Sequence, residues 1–170
     1  MNRLETPVMP ALQPISEPTQ QKIHFVRLDQ IRPNEQHYPE HALLLADTIL
    51  REQYWRVPIA LERHSLAVMD GHHRLEAARR LKLILVPCLL LDYSQVEVSP
   101  TRQGYVVTPQ EILRRAASGE LYPPKTTRHN FPSPPPACNI LLSLLTPASA
   151  RPHSPLYRSS VIERGERLQP

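Results

Sequence analysis

Apolar positions along the chain change their spacing several times, and each change marks an element. From Ile23 to Leu28 apolar and polar residues alternate, the period of a half-buried strand. Residues 29–35 lose that period and carry Pro33, so they read as a turn-rich loop. Ala42, Leu45, Ala46, Ile49 and Leu50 then recur at helical spacing behind Pro39, which suits a first helical position, and the spacing predicts an amphipathic helix over 39–53. Two short apolar runs, 57–61 and 66–69, flank a polar stretch at 62–65 and predict a hairpin. Asp70-Gly71-His72-His73-Arg74 follows, and Leu75, Ala77, Ala78 and Leu81 resume helical spacing, giving strand, glycine turn and helix. Residues 86–91 read as a buried strand and Val96 with Val98 as a shorter one. Thr108-Pro109-Gln110-Glu111 supplies a cap, a proline at the first helical position and a capping-box glutamate, so a helix is predicted to about Ser118, with Gly119 as its stop. Residues 122–129 read as a rigid polar segment, and Trp55 as a lid closing the first helix against the core.

Alternating strands and helices of this length make one α+β domain with a small mixed sheet. Proline sharpens its limits: four of the 20 fall in residues 1–22 and eight in 132–170. The expected organisation is an N-terminal arm (1–22), a folded unit (23–131) and a disordered proline-rich tail (132–170). Aromatic residues are 5% of the chain, so the core must be built from Leu, Ile, Val and Ala. The net charge of +4 permits anionic ligands, but the basic residues form no long run of the kind a sequence-independent DNA binder concentrates. Cys88 lies in an apolar run and reads as a buried thiol; with Cys138 in the proline-rich stretch, no disulfide framework or zinc site is expected. No basic-then-apolar leader is visible and Ile140–Leu145 is too short to span a bilayer, so a cytoplasmic location without membrane contact is expected.

Three stretches carry candidate chemistry. At Asp70 to Arg74 a strand ends, Gly71 permits a tight turn and a helix begins, so unpaired backbone N–H groups and the helix dipole favour an anion. His72, His73 and Arg74 add donors there, while Asp70 could orient a histidine, hold a metal or cap the helix. The bland alternative is a capping Asp70 beside surface histidines. Pro123-Pro124-Lys125-Thr126-Thr127-Arg128-His129 offers hydroxyls and cations on a stiff backbone, suited to a carboxylate or phosphate, or else a solvated basic turn. Glu35, after a proline turn, reads from its surroundings alone as an exposed surface carboxylate.

These residues carry a resemblance. The order of elements is similar to the ParB/sulfiredoxin superfamily, and Val68-Met69-Asp70-Gly71-His72-His73-Arg74-Leu75 resembles the DGHHR-type branch that includes free serine kinases. Lys125-Thr126-Thr127-Arg128-His129 is similar to that branch's C-terminal element, and Ile31 to Glu35 to its catalytic-glutamate loop. The resemblance covers residues 23–131 and implies transfer of a phosphoryl group from ATP or ADP, with Mg²⁺, to L-serine. It implies that Glu35 is the general base, that Asp70, Gly71, His72, His73 and Arg74 hold the nucleotide phosphates, and that Lys125, Thr126, Thr127, Arg128 and His129 hold the serine. Where relatives often carry a tryptophan, this chain reads Ser99-Pro100-Thr101-Arg102, and its stretch before Lys125 is short. A nucleotide-switched, ParB-like DNA-binding regulator is the alternative; it is not favoured, because no helix-turn-helix pattern follows Phe131. A sulfiredoxin-like reductase ranks last, since the phosphate turn has no cysteine.

Overall fold

A computed structural model describes residues 21–147. The elements are β1 (Ile23–Arg27), α1 (Pro39–Glu52), β2 (Tyr54–Trp55), β3 (Ile59–Glu62), β4 (Val68–Asp70), α2 (His72–Arg80), β5 (Leu85–Leu91), β6 (Glu97–Pro100), α3 (Pro109–Ser118), β7 (Thr127–Asn130) and β8 (Ile140–Leu141). A four-stranded sheet runs in the order β1-β5-β3-β4, with β3 parallel to β5 and the other pairs antiparallel. The architecture is α+β: three helices around a mixed sheet, with β2–β8 and β6–β7 as separate two-stranded ribbons.

Strand alternation splits the sheet between two sets of partners. Ile59, Leu61 and Val68 join Ala46 and Ile49 of α1 and Leu75, Ala77 and Ala78 of α2 in the main core. The intervening Ala60 and Met69 pack instead with Val96, Tyr93 and Phe131. This two-sided burial is why β3 reads as a continuous apolar run. Pro87 stands within β5, opposite Phe25 of β1, one residue before pairing with β3 begins at Cys88. A residue without an N–H is tolerated at that margin.

The helix ends follow the sequence. Thr108 accepts a hydrogen bond from the Glu111 amide, and Gly119 closes α3 at φ 78°. The 62–65 hairpin is held by the Glu62 carboxylate, which accepts from the His64 and Ser65 amides.

Two expectations are corrected. The folded unit does not end at residue 131. Beyond a proline run, β8 pairs with β2 and the following 3-10 turn, Leu142–Leu144, leads to Leu145; Cys138, Leu142 and Leu145 are all buried in the main core. The main-chain carbonyl of Leu145 also accepts from the Ile84 and Leu85 amides. The described part of the presumed tail therefore completes the domain; residues 1–20 and 148–170 lie outside the described residues. Trp55, fully buried, belongs to the β2–β8 ribbon and is covered from the C-terminal side, where Cys138 Sγ approaches its carbonyl. The second correction is that the end of the rigid polar segment expected over 122–129 is a strand: residues 127–130 pair in register with β6. Thr-Arg-His-Asn carries no apolar alternation, and its strand character comes from the partner.

Candidate functional site

The segment before α1 is threaded through the middle of the molecule. Arg32 bridges Ala67, just before β4, and Glu35 bridges Tyr122. Between them Asn34 is fully buried: its side-chain amide donates to the Val68 carbonyl at 2.6 Å, and its main-chain carbonyl accepts from the Tyr122 amide. Local composition could not show this, because Pro-Asn-Glu has the makeup of a surface turn.

Glu35 is therefore not an exposed carboxylate; it is buried at 7% exposure. Its Oε1 accepts from the Lys125 amide at 2.9 Å. Its Oε2 accepts from the amides of Thr126 and Thr127 at 3.0 and 2.8 Å and from the Thr127 hydroxyl at 2.9 Å. Three successive backbone N–H groups thus form an anion-binding nest around the carboxylate. Lys125 adopts φ 59° to make it. A left-handed lysine costs about 1–2 kcal/mol. Thr126 is fully buried and its hydroxyl donates to the Pro123 carbonyl, so it builds the loop from beneath.

The glycine turn lies alongside. Gly71 caps α2 at φ 112°, and a Cβ there would stand a tight 3.0 Å from Nε and Nη2 of Arg74, so that side chain would have to shift. The Arg74 guanidinium folds over the turn and donates to Asp70 at 2.6 Å, while its buried Nε has no partner. Asp70 is thus an arginine partner, not a cap. Gly71→Ala is expected to lower stability by about 1–2 kcal/mol through the left-handed backbone. It is also expected to push Arg74 outward and weaken phosphate binding; thermal melts and phosphate titration of the variant check both.

The two histidines of the turn are not surface residues acting as cations. His72 is buried and its Nε2 accepts from the Asn34 amide at a long 3.5 Å; His73 Nε2 accepts from the Tyr38 amide at 3.1 Å. A backbone N–H can only donate, so both rings keep their proton on Nδ1. Burial holds His72 down to about 3, with the nearby His129 imidazole adding to the effect. Burial also holds His129 down to about 4, against the pull of Asp70. His129 contacts the Tyr93 hydroxyl at 3.1 Å and stacks on Phe131. The positive charge of the site at neutral pH comes from Arg and Lys.

Those depressed values make stability depend on pH. An unfolded histidine protonates near 6.5, whereas these rings resist protonation until about 3 and 4. Between these limits the unfolded chain binds more protons, so stability is full above about 6.5 and falls as pH drops. Denaturant midpoints measured from pH 7.5 to 4 are expected to decline through that window, and less steeply in His129→Gln.

An open cleft of about 490 Å³ runs between the end of β4 and the β6–β7 ribbon. Asp70, Arg102, Lys125, Thr127, Arg128 and His129 line it. Of the sequence-derived candidates, Asp70, Lys125, Thr127, Arg128 and His129 line this cleft, whereas Glu35, Gly71, His72, His73, Arg74 and Thr126 do not. Glu35 is bound by the Lys125 loop, Thr126 is part of that loop, His72 is tied to Asn34, and His73 feels the charge of Lys125. Thr101 and Arg102 were not among the sequence candidates. Thr101 is fastened to the Lys125 loop through its amide to the Thr126 carbonyl and its hydroxyl to the Lys125 carbonyl. Among the described residues no cluster of three or more His, Cys, Asp or Glu could hold a metal ion. Asp70 is the sole acid lining the cleft and the one side chain there that could help hold a Mg²⁺. Among the described residues no helix is long and apolar enough to cross a membrane.

No protein-family model matches the chain. A ParB-like protein from Sulfolobus acidocaldarius is 27% identical over 96 residues, covering 55% of this chain and 46% of that protein. The chain thus spans about half the length of this curated relative. Among solved structures, a free serine kinase in complex with AMP superposes with a TM-score of 0.67 at 16% identity, over 72% of this chain and 93% of that one. A variant of the kinase in complex with ADP gives the same score and identity over 78% and 98%. SbnI from Staphylococcus aureus, truncated at its C-terminus, gives 0.62 at 17% identity over 72% and 88%. Similar in sequence to a ParB-like protein and in architecture to nucleotide-bound free serine kinases, the chain has the ParB-like fold that its DGHHR turn implied.

Proposed function

We propose that this protein is a phosphotransferase that moves a phosphoryl group from ATP or ADP to the hydroxyl of L-serine, giving O-phospho-L-serine. The observation that carries this reading is the setting of Glu35: a buried carboxylate bound by the Lys125–Thr127 loop and one residue from Asn34, whose amide donates to His72 of the Asp70–Arg74 turn. Oε2 is saturated by three donors, whereas Oε1 accepts only one and keeps a lone pair. That lone pair is the place for the proton of an attacking hydroxyl.

In this reading the free amides at the start of α2, the Nδ1–H groups of His72 and His73, and Arg74 cradle the phosphates. The partnerless Arg74 Nε offers a donor that a phosphate oxygen would satisfy. Lys125 neutralises charge that develops during transfer. Arg128, Thr127 and His129 hold the acceptor, and Thr126 keeps the loop in shape. Mg²⁺ bound to the nucleotide supplies further charge neutralisation. The nucleotide donor fits a cytoplasmic setting.

Phosphorus NMR of the purified chain with ATP or ADP, Mg²⁺ and L-serine tests the reading. A serine-dependent O-phosphoserine resonance is the expected result. Nucleotide binding without any serine-dependent product would instead favour a nucleotide-switched regulator, the reading that similarity to a ParB-like protein supports.

A further inference from the structure

The balance of charge on the cleft wall says more about the acceptor than the fold does. Three cations line it, Arg102, Lys125 and Arg128, against one carboxylate, Asp70. None of the three cations forms an ion pair among the described residues; Arg32, Arg51 and Arg63 form none either, whereas Arg27, Arg56, Arg74, Arg79, Arg80, Arg114 and Arg115 do. The single acid already carries a guanidinium, since Arg74 lies 2.6 Å from Asp70. Glu35 beneath the wall is engaged by four donors.

The cations are also divided in space. Lys125 is near enough to the phosphate turn for its charge to act on His73. Arg128 belongs to β7, opposite Ser99 of β6, and Arg102 follows β6 on the segment that Thr101 fastens to the Lys125 loop. The phosphate turn and the ribbon thus form two walls. Where it lines the cleft, the ribbon wall presents two guanidinium groups and no carboxylate; Glu97 of β6, opposite Asn130, is not part of that lining. Such a wall pairs with an oxyanion and leaves an ammonium without a counter-charge.

We propose that Arg102, with Arg128, selects the acceptor by its carboxylate, and that the site takes hydroxy acids as a class, with or without an α-ammonium. The inference rests on the phosphotransferase reading and narrows it. The terminal phosphorus–oxygen bond of a nucleoside di- or triphosphate breaks and a bond to the acceptor hydroxyl oxygen forms. The hydroxyl proton passes to Glu35, and the nucleotide leaves shortened by one phosphate.

Three acceptors separate the charges: L-serine, 3-hydroxypropanoate (which keeps the carboxylate and lacks the ammonium) and ethanolamine (which keeps the ammonium and lacks the carboxylate). With the full chain, Mg²⁺ and the preferred nucleotide, 3-hydroxypropanoate is expected to reach a kcat/KM within about tenfold of serine, and ethanolamine to fall below it by about 100-fold or more, the range set by loss of charge-assisted bonds. Arg102→Met, at an exposed position, is expected to raise KM for both carboxylate acceptors at least about tenfold, with kcat at saturation and nucleotide Kd little changed. Ethanolamine turning over like serine, serine turning over while 3-hydroxypropanoate does not, or an unchanged KM in Arg102→Met would each overturn the inference and leave the kinase reading standing. Nucleotide binding without turnover of any acceptor would remove both.

Discussion

A chain cut after Phe131 is expected to lose cooperative folding, even though every strand of the central sheet and all three helices lie before that point. The reason is the inward return of residues 138–145. Leu142 and Leu145 are buried at 5% and 0% exposure beside Trp55, and β8 is the partner of β2. Burying two leucines contributes about 3–6 kcal/mol. Typical domains hold a net stability of only about 5–15 kcal/mol. In the full chain Leu145→Ala alone is expected to cost about 2–5 kcal/mol. Urea unfolding followed by circular dichroism measures both. A shortened chain that unfolds cooperatively at the same midpoint as the full one would show that the return segment is dispensable.

The second large effect is expected at Glu35. Glu35→Gln keeps the volume but replaces one acceptor oxygen with an NH₂ group. With the amide oxygen in place of Oε2, that NH₂ group faces the Lys125 amide, donor against donor. Loss of a proton acceptor is expected to lower turnover about 100-fold or more. Nucleotide affinity should change far less, because the phosphate turn and Arg74 are built independently of the carboxylate. Glu35→Ala leaves three backbone donors of the 125–127 loop without partners and is expected to lower stability as well. Single-turnover assays beside nucleotide titrations separate these effects. Turnover in Glu35→Gln within about threefold of the parent chain would make the residue a clamp for the loop and no more.

Most of the scaffold was legible because local signals and tertiary packing agree. α1 begins at Pro39 and α3 runs from the Thr108 cap to Gly119, where proline, cap and glycine each favour the same boundary. The glycine turn was legible for a similar reason: a short strand, Gly71 and a resumed helical spacing leave few other structures. What stayed hidden depends on distant partners. β7 is polar and is a strand only through β6. Residues 138–145 follow Pro132, Pro134, Pro135 and Pro136, and a proline-rich approach masks the few leucines that matter. Asn34 and Glu35 look like a surface turn until Tyr122 and the Lys125 loop close over them. The resemblance pointed to Glu35, but the nest that holds it lies in backbone amides, which no side-chain pattern encodes. Arg102 escaped notice because a single arginine in a loop has no signature; its bearing on the cleft comes from the bonds of its neighbour Thr101.

The bonds from the 125–127 loop to Glu35 join parts of the chain 90 to 92 residues apart. Bringing such remote segments together costs chain entropy before the carboxylate returns any of it. The wall of the cleft is therefore placed to assemble late, after the sheet and helices have formed, and to open locally before the core does. A substrate spanning both walls adds a second tie across the same gap. Occupancy would then slow amide exchange at Lys125, Thr126 and Thr127, in proportion to ligand concentration over its dissociation constant, so the order of the loop itself becomes a gauge of binding.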